Sequence, residues 1–315
     1  MTGRPPRNGE RPVTIQPWLH RLARRTAVAG LTGAHRAWGL AHRLKSPPSA
    51  GLVEVWPHLT IAFDPTDYVS GGAYQGTYER PELRLLRSLV RPGALVLDVG
   101  ANTGYYTATL ARMVGPRGTV HAFEPSPACL AVLEQLVDRS PLPNVSVHAM
   151  ALGAASGTAQ YQESATAGNA GLGTLRPGSE SNSVPTETTR IVCVTTLDRF
   201  AEEHVAGEIE FVKIDVEGFE GEVLSGGAGL YGAGRITHTL IEVSPQFGNA
   251  QALAEFLETL EDSYVGFAIA ESSGLVRRPL LRTLSAADVA GATDQFNMLI
   301  SRRDRIANLP GRDSR

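Results

Sequence analysis

Apolar runs alternate with helix-like patterns through the chain after residue 50. The runs predict strands at 94–99, 119–123, 145–150, 209–215, 236–243, 264–269 and 296–301. Helical spacing between them predicts helices at about 103–113, 126–138, 217–229 and 250–260. Nearly continuous apolar strands are typical of a parallel sheet covered on both faces. The pattern therefore predicts an α/β fold with one doubly wound sheet of seven strands.

Three other segments break this rhythm. Residues 1–50 form an N-terminal extension, with a polar start at 1–12 that we expect to be disordered, two short helices between Ile15 and Lys45, and a Pro-rich linker at 46–51. The main domain is predicted over 51–305, followed by a disordered tail over 306–315. Within the main domain, the polar stretch 163–189 predicts a flexible insertion. It is either a mobile flap near the substrate site or plain disorder.

Charge separates the extension from the rest of the chain. The formal net charge is −3, but residues 1–50 hold nine Lys and Arg side chains against Glu10 alone, so the remainder is strongly acidic. The apolar stripe of the extension, between Ile15 and Lys45, either caps the main core or contacts a membrane or a partner. We expect no nucleic-acid partner.

Composition narrows the class of protein and its expected location. Apolar residues at 42% and charged residues at 19% describe an ordinary globular protein. The start lacks the apolar core of a signal peptide, and no run of about 18 apolar residues occurs, so we expect a cytoplasmic protein. Cys129 and Cys193 have no metal-ligand spacing and are predicted to be reduced core thiols.

The stretch "ALVLDVGANTGYYTATLARMV", residues 94–114, reads as a strand, a glycine-bearing loop and a helix. Such a loop lies at the carboxyl end of a strand, where open α/β sheets bind ligands. Gly100 allows the tight turn, and Gly104 allows the helix to approach closely. Asn102 stands where a dinucleotide loop has its middle glycine. By itself the loop indicates only a nucleotide-like ligand.

Two carboxylates narrow the choice of ligand. Asp98 ends the strand beside the loop, where it would favour a cationic group and repel a pyrophosphate. Glu124 ends the next strand, in "HAFEPSP", and is placed to accept the hydroxyls of a ribose. Its alternative role is a charge at the start of the following helix. The pair favours S-adenosylmethionine over NAD.

Candidate catalytic side chains follow two later strands. Lys213, Asp215 and Glu217 come from "FVKIDVEG", and Glu242 ends the strand "ITHTLIEV". Strand alternation puts Lys213 and Asp215 on one face, where an ion pair with Asp215 or Glu217 would offset the burial of the lysine. Alternatively, Asp215 or Glu242 assists deprotonation of an acceptor hydroxyl. If a divalent cation takes part, Asp215, Glu217 and Glu242 are its ligands, although no metal motif is present.

The ordered set of segments "RPGALVLDVGANTGYYT", "GTVHAFEPSP", "VTTLDRF", "IEFVKIDVEGFEGEVLSGG", "LIEVSP" and "DQFNMLIS" resembles the FkbM family of S-adenosylmethionine-dependent methyltransferases. The resemblance covers about residues 60–301, so the basic extension lies outside it. It implies a class I methyltransferase (Rossmann-like) fold with strand order 3-2-1-4-5-7-6 and an antiparallel last strand. It also implies mostly O-methylation of sugars or natural-product scaffolds.

With the resemblance, the expected site has a cofactor half and an acceptor half. The cofactor half comprises Asp98, Gly100, Ala101, Asn102, Gly104, Tyr105, Glu124, Pro125 and Asp215. Tyr74, Tyr78 and Glu79 either line the acceptor pocket or merely pack a loop over the sheet.

The resulting hypothesis is a methyltransferase that acts on a hydroxyl of a small molecule. The acceptor would be a sugar of a glycosylated natural product or glycolipid, or a natural-product scaffold. The alternatives are a non-catalytic cofactor-binding or assembly protein and, less favoured, an NAD-dependent oxidoreductase.

Overall fold

The computed structural model describes residues 14–15, 18–29, 31, 33–45, 51–56, 59–63, 68–140, 142–164, 173–176, 186–273 and 276–311. The strands are β1 (Thr14–Ile15), β2 (Gly51–Trp56), β3 (Leu59–Phe63), β4 (Leu95–Val99), β5 (Thr119–Phe123), β6 (Val145–His148), β7 (Ala151–Leu152), β8 (Gly157–Ser164), β9 (Thr174–Arg176), β10 (Thr186–Thr195), β11 (Ile209–Ile214), β12 (Ile236–Val243), β13 (Tyr264–Glu271), β14 (Pro279–Leu284) and β15 (Phe296–Arg302).

The helices alternate with these strands. They are α1 (Trp18–Val28), α2 (Ala34–Leu44), α3 (Tyr68–Gln75), α4 (Arg80–Leu89), α5 (Tyr105–Val114), α6 (Pro127–Arg139), α7 (Leu197–His204), α8 (Glu220–Ser225), α9 (Ala228–Gly232), α10 (Ala250–Thr259) and α11 (Ala286–Ala290). Short 3-10 helices cover Gly115–Arg117, Pro245–Phe247 and Arg303–Asn308.

The main sheet has the order β14-β13-β15-β12-β11-β4-β5-β6. Its strands β6, β5, β4, β11, β12, β15 and β13 follow one another as 3-2-1-4-5-7-6, and β15 runs antiparallel to both of its neighbours. The predicted count of seven strands was wrong, because β14 pairs antiparallel with β13 at the edge. This strand buries Leu281 and Leu284 but not the residues between them, so it lacks the continuous apolar run of the central strands.

The predicted helix at 217–229 is shorter and divided. Helix α8 begins at Glu220, and Gly226 and Gly227 separate it from α9. A Cβ atom on Gly226 would lie 2.0 Å from the carbonyl oxygen of Gly153. The chain approaches another backbone so closely there that only glycine fits, and the helix is interrupted.

Strand alternation divides the core between the two faces of the sheet. In β11, Phe211 packs on the side of α4 and α5, whereas Val212 and Ile214 pack on the side of α8 and α10. Residues 209–214 are buried throughout. A charged side chain in this strand therefore has to be compensated within the protein, because water does not reach it.

The two helices predicted in the extension are present as α1 and α2, and their inner faces cover the main core. Ala23, Trp38 and Ala41 are buried together with Tyr74 of α3. On the outside, large apolar side chains remain exposed at Trp18, Leu22, Leu40 and Leu44. The interpretation of the stripe as a core cap is therefore supported, whereas contact of the outer face with a membrane or a partner stays a prediction.

Trp38 provides a test of this packing. It is 5% exposed and its indole N–H donates to the carbonyl of Gln75 at 3.1 Å. We expect Trp38→Ala to lower the free energy of unfolding by about 3–5 kcal/mol, through the lost contacts and the cavity left behind. Trp18→Ala, at a residue 65% exposed, is the matched control and should change it by less than about 0.5 kcal/mol. Urea unfolding measures both, and equal effects would contradict the packing of α2.

The other predicted irregular segments lie partly outside the described residues. This holds for the disorder at 1–12, the linker residues 46–50, most of the insertion (165–172 and 177–185) and the tail end 312–315. Residues 306–311, however, were wrongly assigned to a disordered tail. Leu309 is 8% exposed, and the Gly311 carbonyl accepts from the Leu281 N–H at 3.0 Å. These contacts with β14 hold the segment against the core.

The two cysteines differ in exposure. Cys129 is buried, but Cys193 is exposed on β10, so only the first is a core thiol. Within the described ranges, we find no helix that combines the length and the apolar character needed to cross a bilayer.

Candidate active site

The candidate site lies where β4 and β11 end side by side. At this point the chain connections diverge to opposite sides of the sheet, which is where open α/β sheets bind ligands. The N–H of Asp215 donates to the Val99 carbonyl at 3.1 Å. A Cβ atom on Gly100 would lie 1.9 Å from the Asp215 carbonyl oxygen. Gly100, with φ +79°, therefore lets the cofactor loop and the "DVEG" loop touch.

Backbone strain is concentrated at the same place. Among the described residues, positive φ angles outside glycine occur at Glu79 (39°), Asn102 (51°) and Glu217 (54°). All three are predicted site residues. The left-handed conformation costs about 1–2 kcal/mol for such residues, and asparagine tolerates it better than glutamate. Strain of this kind is retained where the surrounding structure positions functional groups.

Glu124 holds the cofactor loop to the end of β5. Its Oε2 accepts from the Asn102 N–H at 2.7 Å and its Oε1 from the Ser126 N–H at 2.8 Å. Burial raises the pKa of Glu124 to about 7, against the opposing effect of these two N–H groups. Each oxygen keeps a second lone pair, so the carboxylate can still accept from hydroxyl groups.

Lys213 is the centre of a buried charge network. The register of the parallel strands places it directly opposite Asp98, and its Nζ lies 2.8 Å from Oδ2 of Asp215. The ring centroid of Tyr106 is 4.6 Å from the same nitrogen. Burial alone would lower the pKa of Lys213, but Asp215, Asp98 and Glu79 raise it above its ordinary value. The predicted ion pair with Asp215 is present.

Asp98 is fully buried beneath the cofactor loop. Its Oδ2 accepts from the Thr107 hydroxyl at 2.6 Å, whereas its Oδ1 has no hydrogen-bond partner within the described part of the chain. Burial raises the pKa of Asp98, although Lys213 and the Thr107 hydroxyl counteract it. An under-satisfied buried carboxylate at this position is suited to a cationic ligand.

Three further carboxyl groups converge on Asp215. Burial, with Asp215 and Glu242 as like charges, raises the pKa of Glu217 to about 8. Burial also raises the pKa of Glu79 to about 7, where Lys213 opposes and Asp215 reinforces the shift. Burial and Asp215 raise the pKa of Glu242 as well. The site therefore holds carboxyl groups that can exchange protons near neutral pH.

Glu79 and Glu242 have defined hydrogen-bond partners. Glu79 accepts a short hydrogen bond from the Tyr106 hydroxyl. Glu242 accepts from the Ser244 hydroxyl at 2.6 Å and from the side-chain amide of Gln295. Among the described residues, no three His, Cys, Asp or Glu side chains form a group that could hold a metal ion. Asp215, Glu217 and Glu242 therefore share an electrostatic environment but do not form a metal-ligand cluster.

Sequence reasoning missed the pair that supports the "DVEG" loop. Glu220 accepts from the Val216 and Gly218 N–H groups, each at 3.1 Å, and from the Asn249 amide at 2.7 Å. Asn249 also accepts from the Ser244 N–H at 2.8 Å. The pair links the loops after β11 and β12. An acid in the first turn of α8 was a signal for Glu220, but Asn249 is far away in sequence and carried none.

Some predicted residues lie elsewhere. Tyr74 is buried in the core, with its hydroxyl 2.5 Å from Nδ1 of His20, so it does not line an acceptor pocket. The ring of Tyr105 faces a separate cavity beside α1 and α4 rather than the cofactor side. Burial raises the pKa of Tyr78, and the nearby carboxyl groups of Glu79 and Asp215 reinforce the shift, whereas its place in an acceptor pocket stays a prediction. Side-chain direction, which spacing does not specify, accounts for both errors.

Part of the insertion lines the same cavity as the predicted cofactor residues. Gly100, Asn102, Glu124, Pro125, Asp215 and Glu217 line it, together with Met150, Tyr161, Gly173 and Leu175. Ala101 and Gly104 instead pack beneath the loop, against Leu133 of α6. Tyr161 and Leu175 belong to β8 and β9 of the small sheet β7-β10-β8-β9. The described part of the insertion thus covers the predicted cofactor residues.

Comparison with known proteins identifies the domain. The model of the methyltransferase FkbM domain matches residues 98–267, which is more than half of the chain. The chain belongs to the FkbM methyltransferase domain family. The FkbM domain is thus S-adenosylmethionine-dependent, and the expected methyltransferase is confirmed at this level. The NAD-dependent alternative is not supported.

Curated relatives match a shorter segment. A protein-L-isoaspartate O-methyltransferase of Triticum aestivum is 38% identical over 72 residues, 21% of this chain and 31% of that protein. One from Methanothrix thermoacetophila is 38% identical over 76 residues, 24% of this chain and 34% of that protein. The chain thus spans about a third of the length of these relatives.

Two solved methyltransferase structures show low overall similarity to this chain. Precorrin-6y C5,15-methyltransferase from Geobacter metallireducens has a TM-score of 0.42 and 12% identity, covering 78% of this chain and 100% of that chain. An O-methyltransferase from Bacillus cereus, in complex with S-adenosylhomocysteine, has a TM-score of 0.39 and 14% identity, covering 70% and 79%. At such scores the similarity does not extend to the acceptor.

The residues of the FkbM domain fit S-adenosylmethionine. Asp98 provides a buried, under-satisfied carboxylate oxygen, and Glu124 provides acceptor capacity at the edge of the cavity. Neither is suited to a pyrophosphate. When bound, the cofactor supplies an already activated methyl group. The chain itself has to orient the acceptor and exclude water.

Proposed function

We propose that the FkbM domain methylates a hydroxyl group of a small molecule. The acceptor is a sugar of a glycosylated natural product or glycolipid, or a hydroxyl on a natural-product scaffold. The observation that carries this proposal is the position of Glu217. It lines the same cavity as the predicted cofactor residues Gly100 and Glu124, and burial raises its pKa to about 8. An unactivated hydroxyl needs such a base, because it must lose its proton.

The proposed roles follow from the contacts. A carboxylate oxygen of Glu217 accepts the proton as the acceptor O–H bond breaks. Asp215 forms an ion pair with Lys213, and its carboxylate helps to raise the pKa of Glu217 and so the proton affinity of that base. Glu242, fixed by Ser244 and Gln295, acts in the same direction. Tyr78 and Glu79 form the acceptor side of the site.

On the cofactor side, we assign contacts to the cavity-lining residues Gly100, Asn102, Glu124, Pro125 and Asp215. We assign an electrostatic role to Asp98, which is fully buried beneath the loop. The backbone of Ala101 and Gly104 maintains the loop, with the N–H of Ala101 donating to the Phe123 carbonyl at 2.9 Å.

The test of this function is formation of S-adenosylhomocysteine with a panel of acceptors, followed by mass spectrometry of the product. Each hydroxylated acceptor is paired with its deoxy analogue, which lacks only the reacting hydroxyl. RNA and an isoaspartyl peptide form two further arms. Turnover confined to hydroxylated small molecules supports the proposal, whereas turnover only with RNA or with the peptide carboxylate rejects it.

Asn102 tests the cofactor half separately. We expect its side chain to contact the methionine end of the cofactor, so that Asn102→Ala and Asn102→Gly both weaken S-adenosylmethionine binding by roughly three- to tenfold, the worth of one hydrogen bond. Glycine relieves the positive φ of 51° at this position, whereas alanine does not. Calorimetry with both variants separates the two effects. Wild-type affinity in Asn102→Gly would leave only a backbone role.

A further inference from the structure

The outer face of the helical hairpin α1–α2 carries a group of exposed apolar side chains. Four large ones are each more than half exposed, namely Trp18 (65%), Leu22 (54%), Leu40 (59%) and Leu44 (61%). Two of them lie on each helix, four residues apart, so each pair covers successive turns of one helix face. Single exposed apolar residues are ordinary on a protein surface, whereas a group of large ones marks an interaction surface.

The two apolar pairs lie at the same end of the hairpin. The ring of His20, near the start of α1, stacks on the ring of His42, near the end of α2, with 5.2 Å between the ring centroids. Nε2 of His20 also lies 2.7 Å from the carbonyl oxygen of Lys45, directly after α2. The helices are therefore antiparallel, and the start of α1, with Trp18 and Leu22, lies beside the end of α2.

Buried polar contacts fix the direction in which the hairpin faces. The Tyr74 hydroxyl lies 2.5 Å from Nδ1 of His20, and the Trp38 indole N–H donates to the Gln75 carbonyl at 3.1 Å. Turning the outer side chains inward would break both hydrogen bonds and would remove Trp38 from the core. The four apolar side chains therefore stay at the surface, where only an external partner can cover them.

Exposed positive charge accompanies these apolar side chains. Five basic residues of α1, of α2 and of the position directly after α2 are exposed, namely Arg21, Arg25, Arg36, Arg43 and Lys45. No Asp or Glu occurs between residues 11 and 50. Within the described part of the chain, none of these five side chains forms an ion pair. Water solvates their charges in the free protein, so they are available to an external anionic surface.

We propose that the outer face of the α1–α2 hairpin binds the surface of an anionic lipid bilayer. Basic side chains are attracted to anionic headgroups, while Trp and Leu side chains enter the boundary between headgroups and acyl chains. Tryptophan favours this boundary because its ring is apolar and its N–H is polar. The strongly acidic remainder of the chain is repelled by the same surface, so the hairpin is directed toward it. This contact is independent of which acceptor the domain methylates.

Two other occupants fit the outer face less well. In a symmetric dimer, a second copy of the chain would bring the same basic residues face to face, with like charges at the interface. A nucleic acid would contact the arginines through its phosphates but would provide no apolar phase for the leucines. Of the three occupants, an anionic bilayer provides both anionic groups and an apolar phase.

The experiment uses the full chain and vesicle flotation. The vesicles contain equal parts of phosphatidylglycerol and phosphatidylcholine, and vesicles of pure phosphatidylcholine are the control without net charge. We expect binding to the anionic vesicles at low salt, roughly tenfold weaker binding to phosphatidylcholine, and weaker binding as the salt concentration rises. Binding to a single-stranded RNA and self-association by sedimentation velocity are measured in parallel.

Two double variants separate the apolar and the electrostatic contributions. Trp18→Ala/Leu44→Ala removes apolar side chains, and Arg21→Gln/Arg43→Gln removes charge. Each should weaken binding to the anionic vesicles by roughly tenfold. All four side chains are exposed, so both variants should unfold in urea as the wild type does. Point variants are preferred to truncation because the inner faces of both helices belong to the core.

The matched controls are Ile191→Ala and Arg117→Gln, at exposed residues outside the hairpin. Both should bind the anionic vesicles as the wild type does. Absence of binding to the anionic vesicles overturns the proposal, and so does binding that either hairpin variant leaves unchanged. RNA binding or self-association that depends on the hairpin residues, without vesicle binding, assigns the face to that other occupant and likewise overturns the proposal.

Discussion

Replacing Lys213 by methionine is expected to lower the free energy of unfolding by about 3–5 kcal/mol, because the change leaves buried carboxylates without their cation. Asp215 loses its partner at 2.8 Å, and Asp98 loses the lysine opposite it in the sheet. Methionine is similar in length, so the effect reports charge rather than volume. Urea unfolding monitored by circular dichroism provides the measurement.

The loss of unfolding free energy in Lys213→Met should depend on pH. Burial raises the pKa of Asp98 and that of Glu79, and Lys213 opposes both shifts, so these two groups take up protons as the pH falls and their uncompensated charge disappears. The loss in Lys213→Met is therefore expected to be larger at about pH 8 than at about pH 5. Adding Asp98→Asn to this variant should recover part of the stability. A loss below about 1 kcal/mol, constant with pH, would show that the network is not buried as described.

Glu217→Gln is expected to change activity and stability in opposite directions. Removing the proposed base should lower turnover by about 10²- to 10⁴-fold and abolish the rise in turnover with pH that reflects a group of pKa about 8. S-adenosylmethionine affinity should change little, since the carboxylate acts on the acceptor. The measurements are turnover against pH and cofactor affinity by calorimetry.

The stability change has the opposite sign because the folded pKa of Glu217 lies above its ordinary value of 4.5. The folded protein then binds more protons than the unfolded chain between about pH 4.5 and pH 8, and the wild type loses stability as the pH rises through this window. Glutamine cannot ionise, so the variant should become relatively more stable there. Such opposition is typical of functional groups held in unfavourable surroundings.

Glu222→Gln is the matched control, since Glu222 lies on the next helix and is exposed. It should leave both turnover and stability unchanged. If Glu217→Gln keeps wild-type turnover on an accepted hydroxyl substrate, Glu217 is not the base. If it instead loses stability at about pH 8, the raised pKa is wrong.

Much of the fold could be predicted because it depends on local patterns. Continuous apolar runs located the central strands, and the glycine-bearing loop after 94–99 located the site. The ion pair of Lys213 and Asp215 could be predicted because the two residues are only two positions apart, at the carboxyl end of β11. Strand β14 was not predicted because only Leu281 and Leu284 are buried in this edge strand, so it has no such run.

The amino-acid sequence by itself determined the fold class, the methyltransferase family and the strand ends that carry the carboxylates, since periodicity and motif spacing act within one element. Only the tertiary structure decided which groups meet. Strand register placed Asp98 opposite Lys213, side-chain direction turned Tyr74 into the core, and loop contacts joined Glu220 to Asn249. Such contacts join residues far apart in the chain, and burial then shifts their pKa values, so neither is expressed in any local pattern.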